Sequence, residues 1–190
     1  MSETELQSQK LSYFFSILDL NRNGFIQMED FSELAERVRM IMDFEEGGKE
    51  HKRIMTKAAN FFHKLAHDIK PANVQQITES ELISHLETKV LNDELELDAF
   101  KEVVFNFMFD FFDQNHDGFI SKQEYADFYT IFGIDDQYFE MAFEKLNNSK
   151  SGKLNRYDLL SAVEDFFTST NPSIPGNWVF GFWESKPYGS

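Results

Sequence analysis

The chain has 190 residues, a formal net charge of −15 at pH 7, no cysteine and 22 phenylalanines. An acidic surface repels nucleic-acid phosphates and suits cations, and the absence of cysteine excludes disulfides, thiolate metal sites and cysteine nucleophiles. A chain of this length buries a sizeable core as one domain or two small lobes, and it has no apolar run long enough to span a membrane.

The polar, acidic start Met1-Ser-Glu-Thr-Glu-Leu6 carries no secretory signal. The expectation is therefore a cytoplasmic protein that engages neither nucleic acid nor membrane. The pattern that follows reads as almost wholly helical, over 3–18, 28–43, 50–67, 78–91, 96–112, 122–132, 136–146 and 155–168. Ser2-x-x-Glu5, Thr78-x-x-Glu81 and Ser121-x-x-Glu124 are capping boxes that start helices. Gly47-Gly48, Pro71, Gly133 and the stretch 172–176 punctuate them. Residues 92–96 read as a link between two helical pairs.

Four short loops alternate with these helices. The first, Asp19 to Asp30, places Asp19, Asn21, Asn23 and Gln27 at positions 1, 3, 5 and 9, with Gly24 at 6, Ile26 at 8 and Asp30 at 12. The carbonyl of Phe25 falls at position 7. The third, Asp113 to Glu124, places Asp113, Asn115, Asp117 and Ser121 at 1, 3, 5 and 9, the Phe119 carbonyl at 7 and Glu124 at 12. Gly118 permits the sharp turn and Ile120 anchors the loop to a partner. A hard cation such as Ca²⁺ takes six to eight oxygens, and this twelve-residue spacing supplies them. Asp30 is one methylene shorter than Glu124, so the first loop is expected to offer one oxygen there and to accept Mg²⁺ more readily.

The other two loops depart from the pattern. The fourth, Asn147 to Asp158, keeps the length, Gly152 and Leu154, but Asp158 is its only carboxylate. Lys150, Lys153 and Arg156 make it net positive. It is either a weak site, with Asn147, Ser149, Ser151, Lys153 and Asp158 at the metal positions, or an empty loop kept for pairing. The second, aligned on Ile77 and Glu81, puts Lys70, Ala72 and Val74 where oxygens belong and Gln75 in place of glycine. No metal is expected there. Pairing at position 8 would join Ile26 to Ile77 and Ile120 to Leu154.

Other constellations carry less. His63 and His67 share a helix face at a zinc-chelating spacing, but Lys64 stands where a metalloprotease needs glutamate. They read as exposed helix residues, and His116 reads as pointing outward. No catalytic arrangement emerges, so an enzyme is not expected. The tail Asn171 to Trp183 follows two prolines with Trp178, Phe180, Phe182 and Trp183. Left free, it would be an aggregation hazard, so it is expected to fold back into the groove between helix pairs.

With its loops, wide spacing and Pro175-Gly-Asn-Trp-Val-Phe-Gly181 tail, the chain resembles the invertebrate sarcoplasmic calcium-binding proteins and their calexcitin relatives. The resemblance implies an all-α fold of four helix–loop–helix EF-hand units in two pairs, with short β-bridges between paired loops. The pairs would be residues 1–92 and 93–170, with 171–190 as the tail. It further implies a monomeric cytosolic Ca²⁺/Mg²⁺ buffer. A calexcitin-like sensor with a protein target is the alternative, and a luciferin-binding or photoprotein-like carrier of an apolar ligand a more distant one. Sensors favour Met-rich grooves, whereas this chain has 7 Met against 22 Phe, which weighs towards the buffer.

Overall fold

The computed structural model describes residues 3–70 and 75–184. They form eight α-helices: α1 (Glu3–Leu18), α2 (Met28–Ile41), α3 (Lys49–Ile69), α4 (Glu79–His85), α5 (Glu94–Phe112), α6 (Lys122–Phe132), α7 (Phe139–Leu146) and α8 (Arg156–Thr168). Four three-residue strands lie between them: β1 (Phe25–Gln27), β2 (Gln76–Thr78), β3 (Phe119–Ser121) and β4 (Lys153–Asn155). β1 pairs antiparallel with β2, and β3 with β4. The register sets Ile26 opposite Ile77 and Ile120 opposite Leu154. All four are buried, so each bridge ties two loops together beneath an apolar anchor.

The helix ends follow local chemistry. Thr78 and Ser121 each accept a bond from the backbone N–H three residues on, while Glu81 and Glu124 accept one from the backbone N–H of the cap residue. Asn155 and Asp158 form the same box at the start of α8. The box proposed at Ser2 lies outside the described residues. α5 starts two residues earlier than the hydrophobic pattern suggests, because the Asp93 carboxylate accepts from both Leu95 N and Glu96 N. The expected helix over 78–91 is interrupted: α4 stops at His85 and a π-helical turn covers Leu86–Val90. Leu86 and Val90 at its two ends are both buried. α7 is likewise preceded by a 3₁₀ turn, Asp136–Tyr138, capped by Asp135.

The core is aromatic and continuous. Phe61 of α3 meets Phe107 of α5 at 4.1 Å between ring centroids, and Phe107 also contacts Phe132 of α6 edge-on. Phe14 of α1 packs edge-on against Phe167 of α8 at 5.0 Å. α2 packs on α3 and also on α6, where Arg37 donates to the carbonyl of Ile131 at 2.8 Å.

The segment after α8 lies inside this assembly. A 3₁₀ turn, Pro175–Trp178, packs on α7 and α8, and Val179, Phe180 and Trp183 are buried. Phe180 meets Phe166 edge-on at 4.9 Å. Tyr13 donates to the carbonyl of Phe180 at 2.9 Å, and Tyr125 to that of Trp178 at 2.9 Å. Lys10, fully buried, donates to Ser169 O at 2.6 Å and to Asn177 Oδ1 at 3.0 Å. Its ammonium therefore satisfies the carboxy-terminal end of α8, where cations are favoured. No helix among the described residues is long and apolar enough to cross a membrane.

Candidate metal centre

Loops one and three share one geometry. The residue at position 4 is left-handed in both (Arg22, φ 57°; His116, φ 54°), and so is the glycine at position 6 (Gly24, φ 87°; Gly118, φ 79°). This double reversal turns the backbone amides inward onto the side-chain oxygens. In loop one, Asp19 accepts from Asn23 N at 3.1 Å and from Gly24 N at 2.9 Å. Asn21 Oδ1 accepts from Asn23 N, and Asn23 Oδ1 from Phe25 N. In loop three, Asp113 accepts from Asp117 N at 3.1 Å and Gly118 N at 3.0 Å. Asn115 Oδ1 accepts from Asp117 N, and Asp117 Oδ1 from Phe119 N. Each oxygen is thus held in place by a backbone N–H and keeps further lone-pair capacity for a cation.

Position 12 closes each loop. Glu124 accepts from Gln114 N at 3.0 Å with one oxygen and from Ser121 N at 2.8 Å with the other. The shorter Asp30 spans from Gln27 N at 2.8 Å to Asn21 N at 3.1 Å, one residue further into its loop. Asp30 is fully buried, and burial holds its carboxyl above the usual carboxylate range. The charges of Asp19 and Glu33 push the same way, against the two amide bonds. A buried carboxylate of this kind is stabilised by a counter-charge, and a divalent ion would supply one. The donor set, all carboxylate, amide, hydroxyl and carbonyl oxygen, fits Ca²⁺ or Mg²⁺. Among the described residues, no three Asp, Glu or His side chains form a metal-holding cluster by themselves. Neutral oxygens supply part of each loop, and Asp117 is drawn to Lys153.

The two remaining loops satisfy themselves. Loop four repeats the left-handed backbone at Lys150 (φ 53°) and Gly152 (φ 79°). There the hydroxyls bond one another: Ser149 Oγ to Ser151 Oγ at 2.9 Å, and Ser151 Oγ onto the Lys153 carbonyl at 2.8 Å. Two would-be ligands, at positions 5 and 7, thus use their capacity on each other. In loop two the ends are joined by an ion pair between Lys70 and Glu81, which holds the Glu81 carboxyl below its ordinary range. Ala72 and Val74 of that loop lie outside the described residues. His63, His67 and His116 are all exposed.

Sequence reasoning gave Lys70 as a mismatch and Lys153 as both a candidate position and a repelling charge of loop four, and assigned neither side chain a partner. Their contacts are the part of the site it missed. The strand register held the clue for Lys153, because position 7 of one loop lies opposite position 9 of its partner.

These features define a calcium-binding protein of the EF-hand class, and residues 13–35 and 108–129 match the EF hand family model. Within that class the chain is 24% identical to calerythrin of Saccharopolyspora erythraea over 164 residues, covering 86% of this chain and 93% of calerythrin. Its fold is similar to the calcium-loaded apo form of the coelenterazine-binding protein from Renilla muelleri, with a TM-score of 0.78, 22% identity and 95% and 99% of the two chains covered. It is also similar to a sarcoplasmic calcium-binding protein from amphioxus, with a TM-score of 0.72, 17% identity and 93% and 96% covered.

Proposed function

We propose that this chain is a Ca²⁺ buffer in which Mg²⁺ competes, chiefly at the first loop. Metal enters at Asp19, Asn21, Asn23, Phe25, Gln27 and Asp30, and at Asp113, Asn115, Asp117, Phe119, Ser121 and Glu124, with Phe25 and Phe119 contributing carbonyls. Loops two and four stay empty and serve as pairing partners. Residues 1–92 and 93–170 act as two EF-hand pairs, and the protein works as a cytoplasmic monomer without catalytic activity.

The observation that carries the buffer over the sensor is the burial of the tail. Phe180 packs against Phe14 of α1 and against Phe128 and Phe166 of α6 and α8, Val179 and Trp183 are buried, and Tyr13, Tyr125 and Lys10 latch the segment. A target helix would have to displace it. The relative from Renilla muelleri favours a second reading, a carrier of an apolar ligand. Against a ligand held within the aromatic core, the gap lined by Phe14, Phe61, Phe107, Phe128 and Phe180 measures about 10 Å³. That is room for about one water, whereas small-molecule sites run to roughly 300–1,000 Å³.

Calorimetric titration of metal-free protein with Ca²⁺, with and without about 1 mM Mg²⁺, tests the reading. Two tight sites, at least one weakened by Mg²⁺, are expected, with Kd on the order of 10⁻⁹–10⁻⁸ M. Micromolar sites indifferent to Mg²⁺, together with calcium-dependent binding of a hydrophobic dye, would instead establish a sensor. A coloured or fluorescent compound copurifying with the protein would establish a carrier.

A further inference from the structure

We propose that Lys153 is a tethered counter-cation of the third loop, lowering its calcium affinity towards that of the first. The inference rests on the reading of loops one and three as metal sites. Lys153 belongs to loop four, at position 7, and stands opposite Ser121 in the β3–β4 pair. Its ammonium reaches back across the bridge to Asp117 Oδ2 at 2.5 Å and lies 5.7 Å from the centroid of the Phe119 ring. Asp117 Oδ1 is meanwhile fixed by Phe119 N at 2.9 Å. Asp117 therefore stays in its loop position with part of its charge cancelled from outside.

The first pair contains an internal control. Gln76, at position 7 of loop two, stands opposite Gln27 just as Lys153 stands opposite Ser121. It is neutral, and its Oε1 accepts from Gln27 Nε2 at 3.2 Å. Loop one has two carboxylates at ligand positions, Asp19 and Asp30, and a neutral residue across the bridge. Loop three has three, Asp113, Asp117 and Glu124, and a lysine across the bridge. The charge presented to an incoming ion is thereby brought close to equal at the two sites. Ligand charge is a main determinant of EF-hand affinity, so the two sites fill over a narrower calcium range than their own loops dictate.

The test compares the parent with Lys153→Gln, which copies the first pair, by calcium calorimetry at low salt. Calcium affinity at the third loop is expected to rise about fivefold, the scale of one unit charge acting on a divalent ion at water-like dielectric. The gain should shrink in about 0.5 M salt and be largely absent in an Asp117→Asn background. Melting of the metal-free protein supplies a separate readout, because Lys153→Gln removes an ion pair and should leave that state unchanged or slightly less stable. Unchanged or weaker calcium affinity in Lys153→Gln overturns the proposal, as does the same gain in the Asp117→Asn background. Glu124→Gln separates this from failure of the metal reading: if the parent shows no calcium event that Glu124→Gln removes, the loop assignment itself is wrong.

Discussion

Lys70 and Glu81 form an ion pair across the ends of the second loop, at the two positions where a functional loop places its first and last ligands. The lysine ammonium supplies there the positive charge that a metal would bring elsewhere. Both side chains are about one-third exposed, so the pair contributes little energy, on the order of 0–1 kcal/mol. Lys70→Ala is accordingly expected to shift the melting temperature only slightly. It should also create no additional calcium event, because positions 3 and 5 remain Ala72 and Val74. A new event in calorimetry would show that the lysine alone had kept this loop empty.

The position-12 residues make the ranking of the sites testable. Glu124 uses both oxygens to close loop three, and Asp30 does so in loop one from a shorter stem. Glu124→Gln removes charge and a carboxylate oxygen pair, and should weaken the third site on the order of 100-fold. Asp30→Glu should raise the preference of the first site for Ca²⁺ over Mg²⁺, because the longer side chain can give both oxygens to the larger ion. Titrations of each variant with both ions decide the matter. An unchanged Ca²⁺/Mg²⁺ ratio in Asp30→Glu would remove the account of Asp30 as a one-oxygen ligand that favours Mg²⁺.

Much of this architecture was legible because its determinants are local. A loop of twelve residues carries its oxygens, glycine and apolar anchor within a single window, and the pairing of Ile26 with Ile77 follows from that spacing. Thr78 and Ser121 announced their helices for the same reason. What escaped depends on which individual side chains meet once the elements have packed. Lys10 meets Asn177 across 167 positions, and Lys153 meets Asp117 across 36. No periodicity encodes such contacts. The π-helical turn at Leu86–Val90 was equally invisible, since its apolar residues repeat at ordinary helical spacing.

The tail leaves little room where it crosses α8. A β-carbon added at Gly176 would stand 2.2 Å from Asp165 Cβ and 2.9 Å from the Ala162 carbonyl. Neither neighbour can yield without moving the helix. Gly176→Ala is therefore expected to cost about 1–3 kcal/mol, the usual scale of overpacking. Because the strain falls on the tail, the variant should also bind a hydrophobic dye in the calcium-loaded state where the parent does not. Parental melting and no dye binding would mean that the tail does not have to pack this closely.

Lys10 gives the fold a pH signature. Burial lowers its pKa to about 8, against a weaker opposing pull from Asp165. In the unfolded chain a lysine titrates near about 10.4. Between those values the folded state holds fewer protons than the unfolded state, so stability rises with pH. Tyr13, Tyr125 and Tyr129 act in the opposite sense, since burial raises all three above the ordinary tyrosine value. Above about pH 10 the unfolded chain loses those protons first, and stability falls. Lys101, pulled down by burial but raised overall by Asp98 and Glu164, adds to that fall. The melting temperature of calcium-saturated protein should therefore climb from about pH 8 to about pH 10 and then drop. Lys10→Met keeps the apolar stem and removes the titrating group. It should abolish the climb and leave the drop in place. A climb of equal size in Lys10→Met would assign the effect to some other group, and the buried ammonium would then not be what responds to pH at the junction of α1, α8 and the tail.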